Sequence, residues 1–377
     1  MKPSKETLAV HAGQVKDLSG GTNNPIFTST SYKYLDTEKI EYTRYSNTPN
    51  QYAVAQKVAS LENAENGIVF SSGLAAVSST LFTFLKSGDH VIFQRGLYGG
   101  TTNLILNELT KFNIEYTLVD NNSISAFENA VKKNTKLIYF ETPSNPLLSL
   151  IDLKEMADFA RIYQLISIVD NTFASPVNQN PKDYGIDLVL HSATKYLGGH
   201  SDICAGFVLG DNHLIDEIHQ TATNYGGSLN PFMCHLLERS LKTLFVRVNA
   251  QNTNALKIAQ FLENHNSVNQ VNYPGLPKHP NHAVANKQMH GYGGMLSFEL
   301  KDSNIVDFQK RLTLITPAIS LGGVETIISA PVLTSHKKIS EEQRKKEGIT
   351  DNLLRLSVGI EHAEDLIEDL EQAIGKG

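Results

Sequence analysis

Long apolar runs are missing from this chain of 377 residues. Its longest hydrophobic stretches are strand-sized, far short of the roughly 20 residues that a membrane-spanning helix needs, so no membrane contact is expected. A basic excess is missing as well: 33 Lys and Arg face 39 Asp and Glu, a formal net charge of −6. Nucleic-acid proteins normally show a basic stripe, and that class is set aside. Only two cysteines occur, Cys204 and Cys234, without CxxC spacing. This argues against a disulfide framework or a cysteine-rich zinc site and fits a reducing compartment. The first residues, MKPSKETLAVHAGQ, hold no continuous apolar segment, so no secretory signal and a cytoplasmic location are expected. The 13 histidines show no HExxH spacing, and no metal is expected at His191, His200 or His219. Neither GxxxxGK[ST] nor GxGxxG occurs, which leaves nucleotide-loop readings without support. In GGHSDI, Ile203 stands where a nucleophile elbow needs its second glycine.

What remains is an ordinary globular composition, 41% hydrophobic and 19% charged, in a chain long enough for two domains. Residues 1 to about 60 look irregular and read as an arm. From residue 67 onward, short apolar runs alternate with helical segments: GIVF (67–70), HVIF (90–93), IEYTLV (114–119), KLIYFE (136–141), LISIVD (165–170) and IDLVLHS (186–192). Apolar strands without alternation imply a mostly parallel sheet covered on both faces, an α/β architecture. After about residue 235 the pattern changes. A long helical stretch from Leu236 to His265 precedes GGMLSFEL, LRLSVGI and the amphipathic HAEDLIEDLEQAI, which reads as a smaller α+β domain. The charged run SHKKISEEQRKKEG (335–348) reads as a mobile, solvated loop.

Ligands of open α/β sheets gather beyond the carboxyl ends of the strands. Ser72-Gly73-Leu74 follows one strand and opens a helix, where free N–H groups and the helix dipole suit a phosphate. Asp170 ends a second strand. Ser192, Thr194 and Lys195 follow a third, and a lysine approached by a buried strand is costly unless paired or used. A phosphate cradle, a buried carboxylate and a lysine together match pyridoxal 5'-phosphate (PLP). The amine condenses with the aldehyde, Asp170 keeps the ring nitrogen protonated, and the ring accepts electrons from a carbanion. Small hydroxyls at Ser192 and Thr194 suit the phosphate.

The stretch HSATKYLGGHSD (191–202) strongly resembles the Cys/Met-metabolism PLP-dependent enzymes, the transsulfuration family. YTRYSNTP (42–49), FSSGLAA (70–76), LYGGT (97–101), ETPSNP (141–146), VDNTF (169–173), SLGGVET (320–326) and RLSVGIE (355–361) extend the resemblance over nearly the whole chain. It implies a type I PLP fold: an arm (1–60) that completes the neighbour's active site, a large PLP domain (61–235) and a small C-terminal domain (236–377). It also implies a homotetramer, a dimer of dimers. By the same resemblance, Lys195 carries the cofactor and moves the substrate protons. Tyr42 and Arg44 reach the partner's cofactor phosphate, and Gly73 and Leu74 offer it backbone N–H groups. Tyr98 stacks on the ring and assists proton transfer, and Asn145 bonds the ring hydroxyl or the substrate carboxylate. Ser320 and Arg355 hold the α-carboxylate of an amino-acid substrate, Arg through its two-pronged donor geometry.

Three positions depart from the family pattern. Asn47-Thr48-Pro49 exchanges the last two residues of the usual Asn-Pro-Thr, which alters the local path because proline fixes its own φ and restricts the residue before it. Gly100 stands where methionine γ-lyases place a cysteine. Asn103 stands where many cystathionine γ-lyases and γ-synthases carry an arginine. Glu325 matches a glutamate frequent in cystathionine γ-lyases, as a specificity residue or a lining of the entrance. The activity expected is cystathionine γ-lyase, with β-lyase a close second. The γ-replacement reactions of γ-synthases and sulfhydrylases follow, then methionine γ-lyase.

Overall fold

The computed structural model describes residues 3–15, 17, 19–301, 304–335, 337 and 341–375. Runs dense in Val, Ile, Leu and Phe build the first sheet, since branched and aromatic side chains pack well on a pleated surface. Its strands are β1 (Asn66–Phe70), β2 (His90–Gln94), β3 (Glu115–Val119), β4 (Thr135–Glu141), β5 (Ile166–Asp170), β6 (Leu188–Ser192) and β7 (Gly206–Gly210). They lie in the order β1-β7-β6-β5-β4-β2-β3, and β7 runs antiparallel to both its neighbours while the remaining pairs are parallel. Every residue of β2 and β7 is buried, as a sheet covered on both faces requires. On one face Val69, Ile138, Val169 and Val189 pack with Val54 and Val58 of α1 (Pro49–Glu62). On the other, Phe93, Ile168 and Leu190 pack with Ala76, Val77 and Leu81 of α2 (Gly73–Phe84).

The second sheet holds β8 (Val268–Asn272), β9 (Met295–Leu300), β10 (Thr316–Pro317), β11 (Ile327–Ser329) and β12 (Leu353–Ser357). Their order is β10-β11-β12-β9-β8, antiparallel except for the β10/β11 pair. The last helix, Ala363–Ile374, buries Leu366, Leu370 and Ala373 in the core of this smaller α+β unit.

Four local readings differ from the structure. Residues 49–60 are not irregular: they form most of α1, in the main core. The helix escapes a periodicity reading because its buried side includes Asn50, Gln51, Lys57 and Glu62. These polar groups tie other segments to it. Asn50 Oδ1 accepts from Phe27 N–H at 2.8 Å, Gln51 Nε2 donates to Leu229 O at 2.8 Å, and Lys57 Nζ donates to the carbonyls of Ala9 and Val10 at 3.1 Å. Strand β7 (GFVLG) is too short and glycine-flanked to stand out. The long helical stretch is two helices, Pro231–Leu241 and Leu244–Glu263, broken at Lys242-Thr243. In the second helix Leu244 and Val248 join the first core, whereas Ala255, Ile258 and Leu262 join the second. The charged run contains a short helix, Glu341–Lys346, and its residues 336 and 338–340 lie outside the described residues.

Candidate active site

Strand β6 delivers Ser192 to the carboxyl edge of the first sheet, and a tight turn then presents Lys195. Lys195 N–H donates to Ser192 O at 3.1 Å, Gly198 N–H to Ala193 O at 2.8 Å and Gly199 N–H to Lys195 O at 2.7 Å. Arg247 braces this turn from the helix Leu244–Glu263, with Nη1 on Tyr196 O at 2.8 Å and Nη2 on Ser240 O at 2.9 Å. The loop 320–326 lies directly on it. A Cβ at Gly322, where φ is +76°, would sit 2.7 Å from Tyr196 N, so only glycine allows the approach. Across this contact Lys195 Nζ donates to Ser320 Oγ at 2.7 Å. Ser320 itself holds φ at +90°, a costly conformation for a non-glycine residue and one that recurs at functional sites. Burial, and then the Arg355 charge, bring the Lys195 amine down to about 8, with a smaller opposing effect from Cys204.

Arg355 comes from the other sheet, at the centre of β12, and is 8% exposed. Its Nη1 donates to Asn145 Oδ1 at 3.1 Å and its Nη2 to Ser320 O at 2.9 Å, while its buried Nε has no partner among the described residues. Burial lowers the guanidinium only to about 10, so it is a cation at neutral pH. Lys195, Ser320, Arg355 and Asn145 thus form one connected group at the junction of the two sheets.

Asp170 closes β5 and Glu141 closes β4, and the strand register sets them side by side. Asp170 Oδ1 accepts from Thr172 N–H at 2.9 Å, and the Tyr139 hydroxyl makes a long 3.5 Å contact with Oδ2. Among the described residues no lysine or arginine forms an ion pair with Asp170. Burial raises its carboxyl, opposed mainly by the Thr172 hydrogen bonds. Glu141 Oε1 accepts the backbone N–H of Tyr98 at 2.9 Å. That bond fixes the start of the helix Gly99–Asn107, whose preceding Tyr98 is 53% exposed.

The turn before α2 is built for close approach. Ser72 caps the helix, its Oγ accepting from Ala75 N–H at 3.0 Å, and the N–H groups of Gly73 and Leu74 have no carbonyl partner in the helix. A Cβ on Gly73 would lie 2.9 Å from Ser192 Cβ, and one on Gly206 would lie 2.7 Å from Gly73 Cα. Ser192 therefore sits against the helix start. Thr194 is engaged elsewhere: its Oγ1 donates to Ala205 O at 3.3 Å and accepts from Ala205 N–H at 3.1 Å.

Other expected residues stand apart within one chain. Tyr42 and Tyr45 pack edge to face at 5.2 Å, and the Arg44 guanidinium lies 5.6 Å from the Tyr42 ring and bonds Thr223 O. No contact joins either residue to Lys195. Glu325 Oε2 accepts from Ser201 Oγ at 3.3 Å, just beyond the lysine turn. The sequence motifs include Glu141 only as the first letter of ETPSNP, with no role attached, and Arg247 lies in none of them. An acidic residue ending a buried strand was a usable signal for the first, and nothing local pointed to the second.

The sequence model of the Cys/Met metabolism PLP-dependent enzymes matches residues 6–375. The chain belongs to this family. It is 45% identical to a cystathionine β-lyase of Lactococcus lactis subsp. cremoris over 99% of both chains. It is also 45% identical to a cystathionine γ-lyase of Bacillus subtilis, over 98% of this chain and 99% of that one. Among solved structures, a cystathionine γ-lyase from Lactobacillus plantarum complexed with L-serine superposes with a TM-score of 0.95 at 40% identity, covering 98% of each chain. The architecture is the type I PLP fold, and this member of the Cys/Met-metabolism family is a PLP-dependent carbon–sulfur lyase. Its own geometry fits the cofactor. A buried carboxylate without a cation suits the ring nitrogen, a glycine-seated helix start with two free N–H groups suits the phosphate, and a lysine lowered to about 8 suits the aldehyde. Among the described residues no helix is long and apolar enough to cross a membrane.

Proposed function

We propose that the chain is a cystathionine lyase whose main reaction is γ-elimination, releasing cysteine, 2-oxobutyrate and ammonia. The observation that carries the lyase reading is the connected group Lys195–Ser320–Arg355–Asn145, and the preference for γ-elimination rests on Glu325. The group places an amine able to carry protons beside a buried cationic fork with N–H donors unspent, Nε among them. The substrate α-carboxylate bonds Arg355, aided by Ser320 and Asn145, which aims the α-carbon at Lys195 Nζ. When bound, the cofactor supplies an electron sink for the charge left at that carbon. Lys195 Nζ takes the α-proton, gives it up again and, for γ-elimination, then takes a second proton from Cβ before the Cγ–S bond breaks and the departing sulfur is protonated. The Tyr98 hydroxyl assists these transfers. Asp170 would face the ring nitrogen, Gly73, Leu74 and Ser192 would bind the phosphate, joined by Thr194 once its hydroxyl leaves Ala205, and Glu325 lines the entrance.

The arm is the segment before Pro49, since α1 belongs to the main core. Tyr42 and Arg44 on it act at a neighbour's phosphate site in a homotetramer built as a dimer of dimers. The domain junction lies within the helix Leu244–Glu263, which serves both cores.

A second reading, β-elimination to pyruvate and homocysteine, is favoured by the similarity to the Lactococcus cystathionine β-lyase and by Asn103 in place of an arginine. Incubation of the purified protein with L-cystathionine, followed by mass spectrometry of the keto acid, separates the two. Mainly 2-oxobutyrate supports γ-elimination, and mainly pyruvate replaces it with β-elimination. No keto acid from intact, cofactor-loaded protein overturns both and favours γ-replacement on an O-acylhomoserine.

A further inference from the structure

Two carboxyl groups end adjacent parallel strands at the floor of the site, and the proposed reaction employs one of them. Asp170 and Glu141 are register partners, so their side chains leave the sheet on the same face. Glu141 is 6% exposed. Its own N–H donates to Gln94 Oε1 at 2.8 Å, which anchors the end of β4 to β2, and its Oε1 accepts the Tyr98 N–H at 2.9 Å. Among the described residues this is the bond by which Tyr98, just ahead of the helix Gly99–Asn107, is tied to the sheet.

The two carboxyls are unequally provided for. Asp170 faces Thr172, which supplies a backbone donor, and the Tyr139 hydroxyl on β4. It also lies within the field of His191 on β6. Glu141 faces Asp170 on β5 and the Tyr98 backbone ahead of it, and among the described residues Tyr98 provides its single stabilising donor. Two buried carboxylates side by side cannot both ionise cheaply, and the proton stays on the one with fewer donors. Burial, and then the proximity of Asp170, hold the Glu141 carboxyl well above the usual carboxylate range, in keeping with this division.

We propose that Glu141 is a positioning residue: as a neutral acid it fixes the backbone of Tyr98 and leaves Asp170 as the sole anion of the pair. Had both been charged, the site would present two negative charges to one ring nitrogen. Had Glu141 been absent, a part-buried N–H would lose its acceptor and the tyrosine would lose its seat. The inference rests on the proposed role of Tyr98 in the site but not on which carbon–sulfur bond is cut.

The test pairs a direct observation of the proton with two variants. Infrared difference spectra of wild type against E141Q, taken on the apo-protein at neutral pH, report whether a protonated carboxylic acid is lost. The band of a protonated acid, present in wild type and absent in E141Q, is expected. Its absence from wild type overturns the neutral-acid assignment. In the holoenzyme E141Q retains an oxygen acceptor for Tyr98 N–H, and kcat with the best thioether substrate stays within about twofold of wild type. E141A leaves that donor unpaired, and kcat falls about tenfold. If E141Q is as impaired as E141A while melting like wild type, the group works as an anion and the proposal fails. If E141A keeps wild-type kcat, Glu141 positions nothing. A wild-type protein that cleaves no thioether would instead disprove the lyase reading, and the infrared result would still stand.

Discussion

The amine of Lys195 makes a quantitative prediction. An unperturbed lysine has a pKa near 10.5, and burial beside Arg355 brings this one to about 8. At pH 7.4 the neutral, nucleophilic fraction is then about 20%, against about 0.08% for an ordinary lysine, a gain of about 250-fold. Capture of pyridoxal phosphate by the apo-protein, followed by absorbance in a stopped-flow instrument, should therefore rise with pH to half its plateau near 8. Replacing Arg355 by Gln removes the second cause of the depression but keeps the burial, and should move that midpoint upward. Ionisation also enters stability. The folded pKa lies below the unfolded one, so the unfolded chain binds more protons between about pH 8 and 10.5 and stability rises with pH across that window. A capture midpoint near 10, or one indifferent to Arg355, would refute the account of how the site activates its lysine.

Two further outcomes are expected from the same contacts. In R355K one compact ammonium nitrogen replaces a planar fork that meets Asn145 Oδ1 and Ser320 O from separate nitrogens, and it cannot hold a substrate carboxylate bidentately as well. The loss of about 3–4 kcal/mol of charge-assisted bonding should lower kcat/KM some hundredfold or more, read by steady-state kinetics. In G73A the new Cβ meets Ser192 Cβ at 2.9 Å and pushes the helix start off its seat. The cofactor dissociation constant, measured by equilibrium dialysis, should rise about tenfold or more, since a misplaced helix start loses N–H contacts to phosphate.

Much of this site can be read from residue order because its parts sit where strands end. Asp170, Ser192 and Lys195 each come at or just after the end of an apolar run that has to be a buried strand, and the edge of a parallel sheet gathers the residues at such ends. The resemblance motifs named Arg355 and Asn145. Their mutual bond was not legible, because it joins residues 210 positions apart, one on β12 of the second sheet and one in the loop after β4 of the first. The helix Pro49–Glu62 was missed for a physical reason: four of its buried residues are polar, each satisfied by a distant partner that a local pattern does not reveal. Glu141 was missed because its value lies in Tyr98 and Asp170, residues that only the register of β4 and β5 brings to it. Tyr42 and Arg44 were legible as motif residues, but a single chain leaves Arg44 on Thr223 O and Tyr42 against Tyr45.

The helix Leu244–Glu263 has a mechanical consequence. At 20 residues it is about 30 Å long, and it is mortised at one end into the larger core and at the other into the smaller. Along the way its Arg247 grips the turn that carries Lys195. Such a tie rod keeps the lysine of one half and the arginine of the other at a set span. The halves are therefore not free to swing like jaws. Heating should melt both halves together, because neither can come apart without unseating the beam they share.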